Sequence, residues 1–259
     1  MPPDDNRQRG GAATTLLEPS ALSETLLVRF PVARHSVRVL LVTPETVERA
    51  VARRGVDGVL TASERAVLAA LPVERRRRDW LAGRVAAKRV LRATCRRRGD
   101  IEPPYTAIEI QNDTDGAPRF AIDGRPDLGG CLDLSIAHSH GAAVAAVTDR
   151  FASGTVGVDV EMTTPLSIDL VRRVLREAEI DRLGGSSTID PTPLEMWTAK
   201  EAAMKAARHL CRSLRDVELS WAPSRTIRAR IVGDGLPAHS IRVRHRTAGP
   251  YTIALALCR

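Results

Sequence analysis

Residues 196–206, MWTAKEAAMKA, confine the fold more than any other stretch, because they put charge on a segment whose remaining residues ask to be buried. Alanine and methionine are strong helix formers. At 3.6 residues per turn, Trp197, Glu201 and Lys205 fall on one side at i, i+4 and i+8. A carboxylate and an ammonium then share a face with a large aromatic ring. Upstream, Gly157-Val158-Asp159-Val160-Glu161 alternates apolar and acidic residues with period two, which on a strand turns both carboxylates to one side. Alone, Glu201 and Lys205 read as a helical salt bridge, and Asp-x-Glu as a solvated strand. Together, two acids on a strand and a third on a helix make an oxygen-rich cage for a hard divalent cation such as Mg2+.

The function classes open to the chain are narrowed by what it lacks. With 259 residues and 43% apolar content it can bury a sizeable core, as one large domain or two. No apolar run approaches the roughly 18–20 residues needed to cross a bilayer, so no membrane partner is expected. Met1-Pro2-Pro3-Asp4-Asp5 lacks the layout of a secretory signal, which gives the expectation of a cytoplasmic protein. Cys95, Cys131, Cys211 and Cys258 are scattered with no CxxC pair, and are expected to be reduced packing residues. The net charge of +8, supplied mostly by arginine, favours an anionic partner. With only 3% aromatic residues and no zinc-finger, RNP or glycine-lysine signature, nucleic acid is not the expected one.

Read in order, the chain opens with an aperiodic tail rich in Pro, Asp, Arg, Gly and Thr over residues 1–24, expected to be disordered. His35–Thr43 reads as a strand ended by Pro44, and residues 46–54 as a short helix stopped by Gly55. Thr61-Ala62-Ser63-Glu64 has the pattern of a capping box. A long helix is expected from about 73 to 97; on it Arg76, Arg84 and Lys88 sit on or near one face, either a solvated basic face or an anion clamp. Residues 132–148 read as a hairpin whose turn carries His138, Ser139 and His140. Four further strands are expected between residues 218 and 257.

Two segments echo each other: Trp80-x3-Arg84-x3-Lys88 and Trp197-x3-Glu201-x3-Lys205, each preceded by Leu-x3-Glu, at Leu60 and Glu64 and at Leu175 and Glu179. The echo suggests a duplicated strand-helix-helix-strand unit with a site in the cleft between copies; the expected fold is α+β, two similar strand-helix-strand halves, residues 25–134 and 135–259, related by a pseudo-twofold.

Ile136-Ala137-His138-Ser139, Gly157-Val158-Asp159-Val160-Glu161 and Trp197-Thr198-Ala199-Lys200-Glu201-Ala202-Ala203-Met204-Lys205-Ala206, in this order, resemble the motifs of the 4'-phosphopantetheinyl transferases, specifically the larger pseudo-dimeric type that serves nonribosomal peptide and polyketide synthases. The resemblance covers roughly residues 35–220. It implies a monomer that transfers phosphopantetheine from coenzyme A to a serine of an acidic apo acyl or peptidyl carrier protein, releasing adenosine 3',5'-bisphosphate. By the same likeness Asp159, Glu161 and Glu201 hold Mg2+, or alternatively Mn2+. Glu201 is the general base, Lys205 contacts phosphate and stabilises the departing nucleotide, and Arg76, Arg84, His138 and Ser139 bind the cofactor. The chain departs from the pattern at Gly116-Ala117-Pro118, where many relatives carry a cofactor-binding lysine, and Arg119 or Lys200 stand as replacements. His140 is a second departure. Competing readings are a metal-dependent pyrophosphate hydrolase and a noncatalytic protein that binds coenzyme A or nucleic acid.

Overall fold

The β-branched run before Pro44 forms the centre of the first sheet in the computed structural model, which describes residues 26–27, 37–183, 190–211, 213–222, 227–232 and 239–259. The tail expected over residues 1–24 lies outside the described residues, as do positions 35 and 36 of the first expected strand and residues 184–189 of the expected loop before Trp197. Strands β1 (Leu26–Leu27) and β2 (Arg38–Val42) precede α1 (Pro44–Arg54), which starts with Pro44 in its first turn, where proline costs no hydrogen bond. Helix α2 (Ala62–Ala70) opens with the expected capping box of Thr61 and Glu64, and α3 (Glu74–Arg97) follows. Next come the hairpin β3 (Ile108–Asn112) and β4 (Pro118–Ile122), helix α4 (Pro126–Cys131), then β5 (Leu132–Ser139) and β6 (Ala142–Asp149). Residues 99–134 read from the sequence as turns and short strands, which β3 and β4 fit; helix α4 was not expected, and Gly129 and Gly130 make it a poor helix by composition.

The first sheet is antiparallel in the order β1-β2-β6-β5, and α3 lies across one of its faces, burying Ala82, Val85, Ala86, Val90 and Leu91. The expected division at residue 134 falls inside β5, so the first sheet extends to residue 149. The β5–β6 turn is also tighter than expected. His138 and Ser139 belong to the strand, and only His140 and Gly141 turn, at φ 53° and 79°. Two positive φ values in succession give the hairpin bend that matches strand twist.

After α5 (Arg150–Ser153), the chain forms β7 (Thr155–Met162), α6 (Ile168–Val174), α7 (Glu177–Leu183) and α8 (Pro193–Ala207), then β8 (Val217–Trp221), β9 (Ile227–Ile231), β10 (His239–Ala248) and β11 (Tyr251–Cys258). The second sheet runs β7-β11-β10-β9-β8, with α8 across one face. Its other face, at β7 and β11, packs on the first sheet through Val39, Leu41, Val144, Val158, Ile253 and Leu255. The two sheets are also pinned by polar side chains. Asp133 accepts the backbone N–H of Val156 at 2.8 Å, and Ser135 that of Val158 at 3.0 Å, so β5 side chains satisfy donors along β7.

The echo expected from sequence is present in the anchoring of the two long helices, but in a different register. Lys88 on α3 donates to Glu64 at 2.5 Å and to the carbonyls of Val59 and Tyr105. The residue that repeats this arrangement on α8 is Lys200, not Lys205: it meets Glu179 at 2.8 Å and the carbonyls of Leu214 and Val217. Each glutamate also takes a distant strand N–H, Ile110 for Glu64 and Leu219 for Glu179. Both lysines are fully buried.

Candidate active site

Gly157 decides how close α8 comes to β7. A side chain there would stand 1.9 Å from the carbonyl oxygen of Ala202 and 2.5 Å from the amide nitrogen of Ala206, so only glycine permits the observed contact. The close approach brings the turn of α8 that carries Glu201 and Lys205 onto the strand positions of Asp159 and Glu161. Gly83 has a lesser version of the same role on α3, where a Cβ would lie 3.3 Å from Ile136 and 3.8 Å from the His138 ring. Arg84 is thereby delivered beside His138.

These residues enclose a cavity of about 370 Å³ lined by Arg84, His138, Asp159, Glu161, Glu201 and Lys205, with Trp80 and Trp197 as aromatic walls. At its floor, Lys205 Nζ stands 2.7 Å from Asp159 Oδ1 and 3.8 Å from Glu201 Oε2. The strand acid and the helix acid therefore flank one ammonium. Glu161 is held by Ser139, whose hydroxyl donates to Glu161 Oε2 at 2.7 Å. Ser139 Oγ also lies 2.9 Å from His140 Nδ1. A larger cavity of about 550 Å³ adjoins the first across Gly116, Pro118, Ile136 and Lys205, and is bounded on its far side by Arg208 and Cys211.

Burial sets the electrostatics. It pushes the Asp159 carboxyl up to about 7, against the pull of Lys205, and the nearby Glu201 and Glu161 add to the rise. Burial also works against the Lys205 ammonium, but Asp159 and Glu201 outweigh it and hold its pKa above the ordinary value. Desolvation lowers the His138 pKa, with Asp79 opposing and Lys205 assisting, so at neutral pH the ring is a neutral hydrogen-bonding group. Burial likewise pulls the Arg84 guanidinium below its usual range while Glu64 opposes, and Arg84 stacks on Trp80 at 4.3 Å.

The donor set suits a hard cation. Asp159 Oδ2 is buried without a hydrogen-bond partner, an orphaned acceptor facing two further carboxylates. As the side chains lie, no three of the described His, Cys, Asp and Glu residues are close enough together to ligate one ion, and Lys205 occupies the space between two of the acids.

The family described as the 4'-phosphopantetheinyl transferase superfamily matches residues 155–256, the span from β7 to β11 that carries all three acids and Lys205. Residues 155–256 belong to that superfamily. Two solved structures are also similar. One is a holo-(acyl-carrier-protein) synthase from Bacillus anthracis in complex with CoA (3',5'-ADP), at 27% identity and a TM-score of 0.35, covering 44% of this chain and 93% of that one. The other is the Helicobacter pylori holo-[acyl-carrier-protein] synthase in complex with coenzyme A, at 20% identity and a TM-score of 0.34, covering 44% and 99%. No curated protein matches the chain.

Of the residues singled out from sequence, the structure gathers Arg84, His138, Asp159, Glu161, Glu201 and Lys205 around one cavity. Arg76 is not among them. It sits exposed in the first turn of α3, away from the lining. Ser139 is buried behind Glu161 and reaches the cavity only through that carboxylate. Neither proposed substitute for the missing turn lysine lines the cavity: Arg119 pairs with Asp113 at 3.0 Å, and Lys200 is spent on Glu179 in the core.

Sequence reasoning missed Asp79 and Arg208. Asp79 accepts the Gly141 N–H at 2.7 Å and so fastens the β5–β6 turn to α3; an acid closing a run of four arginines was its signal. Arg208 lies beyond Lys205, at φ 52°, and pairs with the buried Asp133 at 2.5 Å. Nothing in its local sequence announces that backbone.

Proposed function

We propose that the protein transfers the 4'-phosphopantetheine group of coenzyme A to a serine hydroxyl of an apo acyl or peptidyl carrier protein, releasing adenosine 3',5'-bisphosphate. The observation that carries this reading is the Lys205 ammonium flanked by Asp159 and Glu201 beneath Arg84 and His138, within a segment of the matching superfamily. Such a floor presents acids to an incoming hydroxyl and cations to phosphate oxygens, which phosphoryl transfer requires together. The serine oxygen attacks the phosphorus that bears pantetheine, and the bond from that phosphorus to the bridging oxygen of the pyrophosphate breaks. Glu201, partly exposed at the cavity, takes the serine proton. Lys205 stabilises charge on the departing bisphosphate, while Arg84 and the neutral His138 hold phosphate oxygens.

Asp159, Glu161 and Glu201 are the residues that would hold Mg2+, which supplies charge neutralisation at the pyrophosphate. Ser139 keeps Glu161 aimed into the site. The two helix-over-sheet halves, each pinned by a buried lysine and glutamate, support an arrangement of two related halves in one chain. We assign the larger pseudo-dimeric type accordingly, acting as a cytoplasmic monomer on acidic carriers of secondary-metabolite synthases.

Mass analysis of an apo carrier protein incubated with the enzyme, coenzyme A and Mg2+ tests the proposal. The carrier is expected to gain one phosphopantetheine on serine. Free phosphopantetheine with unmodified carrier would identify a hydrolase instead, and unaltered coenzyme A would leave only a binding role.

A further inference from the structure

The second sheet has a face that the first sheet covers only in part. Along β11, Ile253 and Leu255 are buried against the first sheet. Their cross-strand partners on β10 are Arg246 and Arg244, so cover is lost within one strand spacing, and the same face continues as Arg242. On β9 it carries Arg228 and Arg230, and on β8 Glu218 and Ser220. Among the described residues of these three strands, the face therefore holds five arginines and one carboxylate, and Glu218 is already paired with Arg230. Arg228, Arg230, Arg242 and Arg246 are exposed.

This arrangement works against the sheet. Arg228 and Arg242 stand directly opposite each other, and a like-charged cross-strand pair is destabilising. Solubility is served as well by mixed charge, which would avoid the repulsion. The four exposed guanidinium groups, one of them shared with Glu218, form instead a field that draws an anionic partner.

We propose that this arginine face is a docking surface for an acidic protein segment, separate from the catalytic cavity. The separation follows from register: Asp159 is paired with Ala254, whose side chain lies among the α8 contacts, so the acids of the cavity are on the opposite side of the sheet from the arginines. The inference does not depend on the transferase reading. Guanidinium forks bind carboxylates in pairs. Arginines at alternate positions of a strand are spaced about 7 Å apart, close to the roughly 6 Å between acids one turn apart on a helix. Among the described residues the face has no exposed aromatic ring for nucleic-acid bases to stack on, which favours protein over nucleic acid.

The test measures binding of the full-length protein to a polyglutamate peptide, a duplex oligonucleotide and phosphatidylserine vesicles, at fixed ionic strength. Two variants of equal net charge are compared: R228Q/R242Q/R246Q on the face, and R49Q/R172Q/R173Q at exposed helical positions elsewhere. The face variant is expected to weaken polyglutamate binding by about ten-fold, and the control by less than about two-fold. Equal loss in both variants would reduce the effect to overall charge and overturn the proposal. So would absence of polyglutamate binding, or a selective loss of duplex or vesicle binding in the face variant. Should the triple variant not fold, R242Q alone, which relieves the opposed pair, gives the same comparison at smaller amplitude.

Discussion

The two sheets of the molecule, each with its long helix, use one device for support and opposite devices for chemistry. In each, the helix lies over the antiparallel sheet and is fastened by a buried lysine that meets one glutamate and two backbone carbonyls. Beyond that socket they diverge. Helix α3 presents Gly83 and Arg84 to the cavity, and α8 presents Glu201 and Lys205. A scaffold that repeats can thus hold a site whose two walls carry different charge, because the anchoring residue and the chemical residues occupy different positions on each helix.

The sharpest way to break this comparison is to remove the acids of the second half. Asp159→Ala and Glu201→Ala are each expected to lower phosphopantetheine transfer by at least about a thousand-fold, the scale of losing an aligned charge at a phosphoryl centre, with thermal unfolding little changed. Arg84→Ala, the contribution of the first half, is expected to act mainly on the KM for coenzyme A. Equal loss of turnover from all three would erase the division between a binding wall and a chemical wall.

Removing the sockets addresses the repeated part. Lys88→Met leaves buried Glu64 with only Arg84, at 3.8 Å, as a counter-charge, and Lys200→Met removes the ammonium that Glu179 meets. Each is expected to cost about 3–5 kcal/mol in chemical denaturation, because a buried carboxylate loses its close ion-pair partner. Lys88→Arg and Lys200→Arg should rescue little: a planar guanidinium does not place three donors in the compact pattern that an ammonium meets here. A large cost at one socket and a negligible cost at the other would mean that the resemblance between halves is one of shape alone.

How much of this was legible in the sequence follows from how each residue advertises itself. Asp159, Glu161, Glu201 and Lys205 were visible because strand and helix periods place them on defined faces, and the structure brings them to one cavity. Lys88 was not visible as an anchor. It lies in an arginine-rich helix, where its spacing from Arg84 suggests a shared basic face, and burial by α2 and the segment before β3 is a tertiary fact. The overlooked signal is scarcity. Only three of the 39 basic residues are lysines, and they are the two anchors and Lys205. The sequence does not show that β5 and β6 join the first sheet, because that rests on a long-range pairing: β6 hydrogen-bonds to β2 and β5 to β6.

The acids of the second half also predict a pH dependence opposite in sign to that of His138 on the first sheet, whose lowered pKa makes stability rise with pH. With the Asp159 carboxyl at about 7 when folded and an ordinary value of 3.8 otherwise, the folded protein binds the extra proton between about pH 4 and 7. Without metal, stability is therefore expected to fall as pH rises through that window, by about 4 kcal/mol at most. A divalent cation must displace the same proton, so metal affinity is expected to rise over the window, with proton release detectable by calorimetry in two buffers. Asp159→Asn should flatten both profiles. A metal-free stability that increases with pH in this range would place the proton elsewhere.

The smallest expected effect concerns the strand end that joins the halves. Ser139 donates its proton to Glu161, so its contact with His140 requires an Nδ1–H on the histidine ring, and His140 thereby acts on Glu161 only through Ser139. His140→Asn is the informative variant, because asparagine tolerates the positive φ of this turn as histidine does, whereas alanine adds strain. It should leave folding and the KM for coenzyme A unchanged and raise the Mg2+ concentration needed for half-maximal transfer by about two- to five-fold, the scale of one weakened hydrogen bond. Ser139→Ala, which frees Glu161 directly, should shift the same curve further. If His140→Asn shifts it more than Ser139→Ala does, the histidine acts on the site by some route other than the serine, and the link between the first sheet's turn and the second sheet's acids is not the one drawn from these distances.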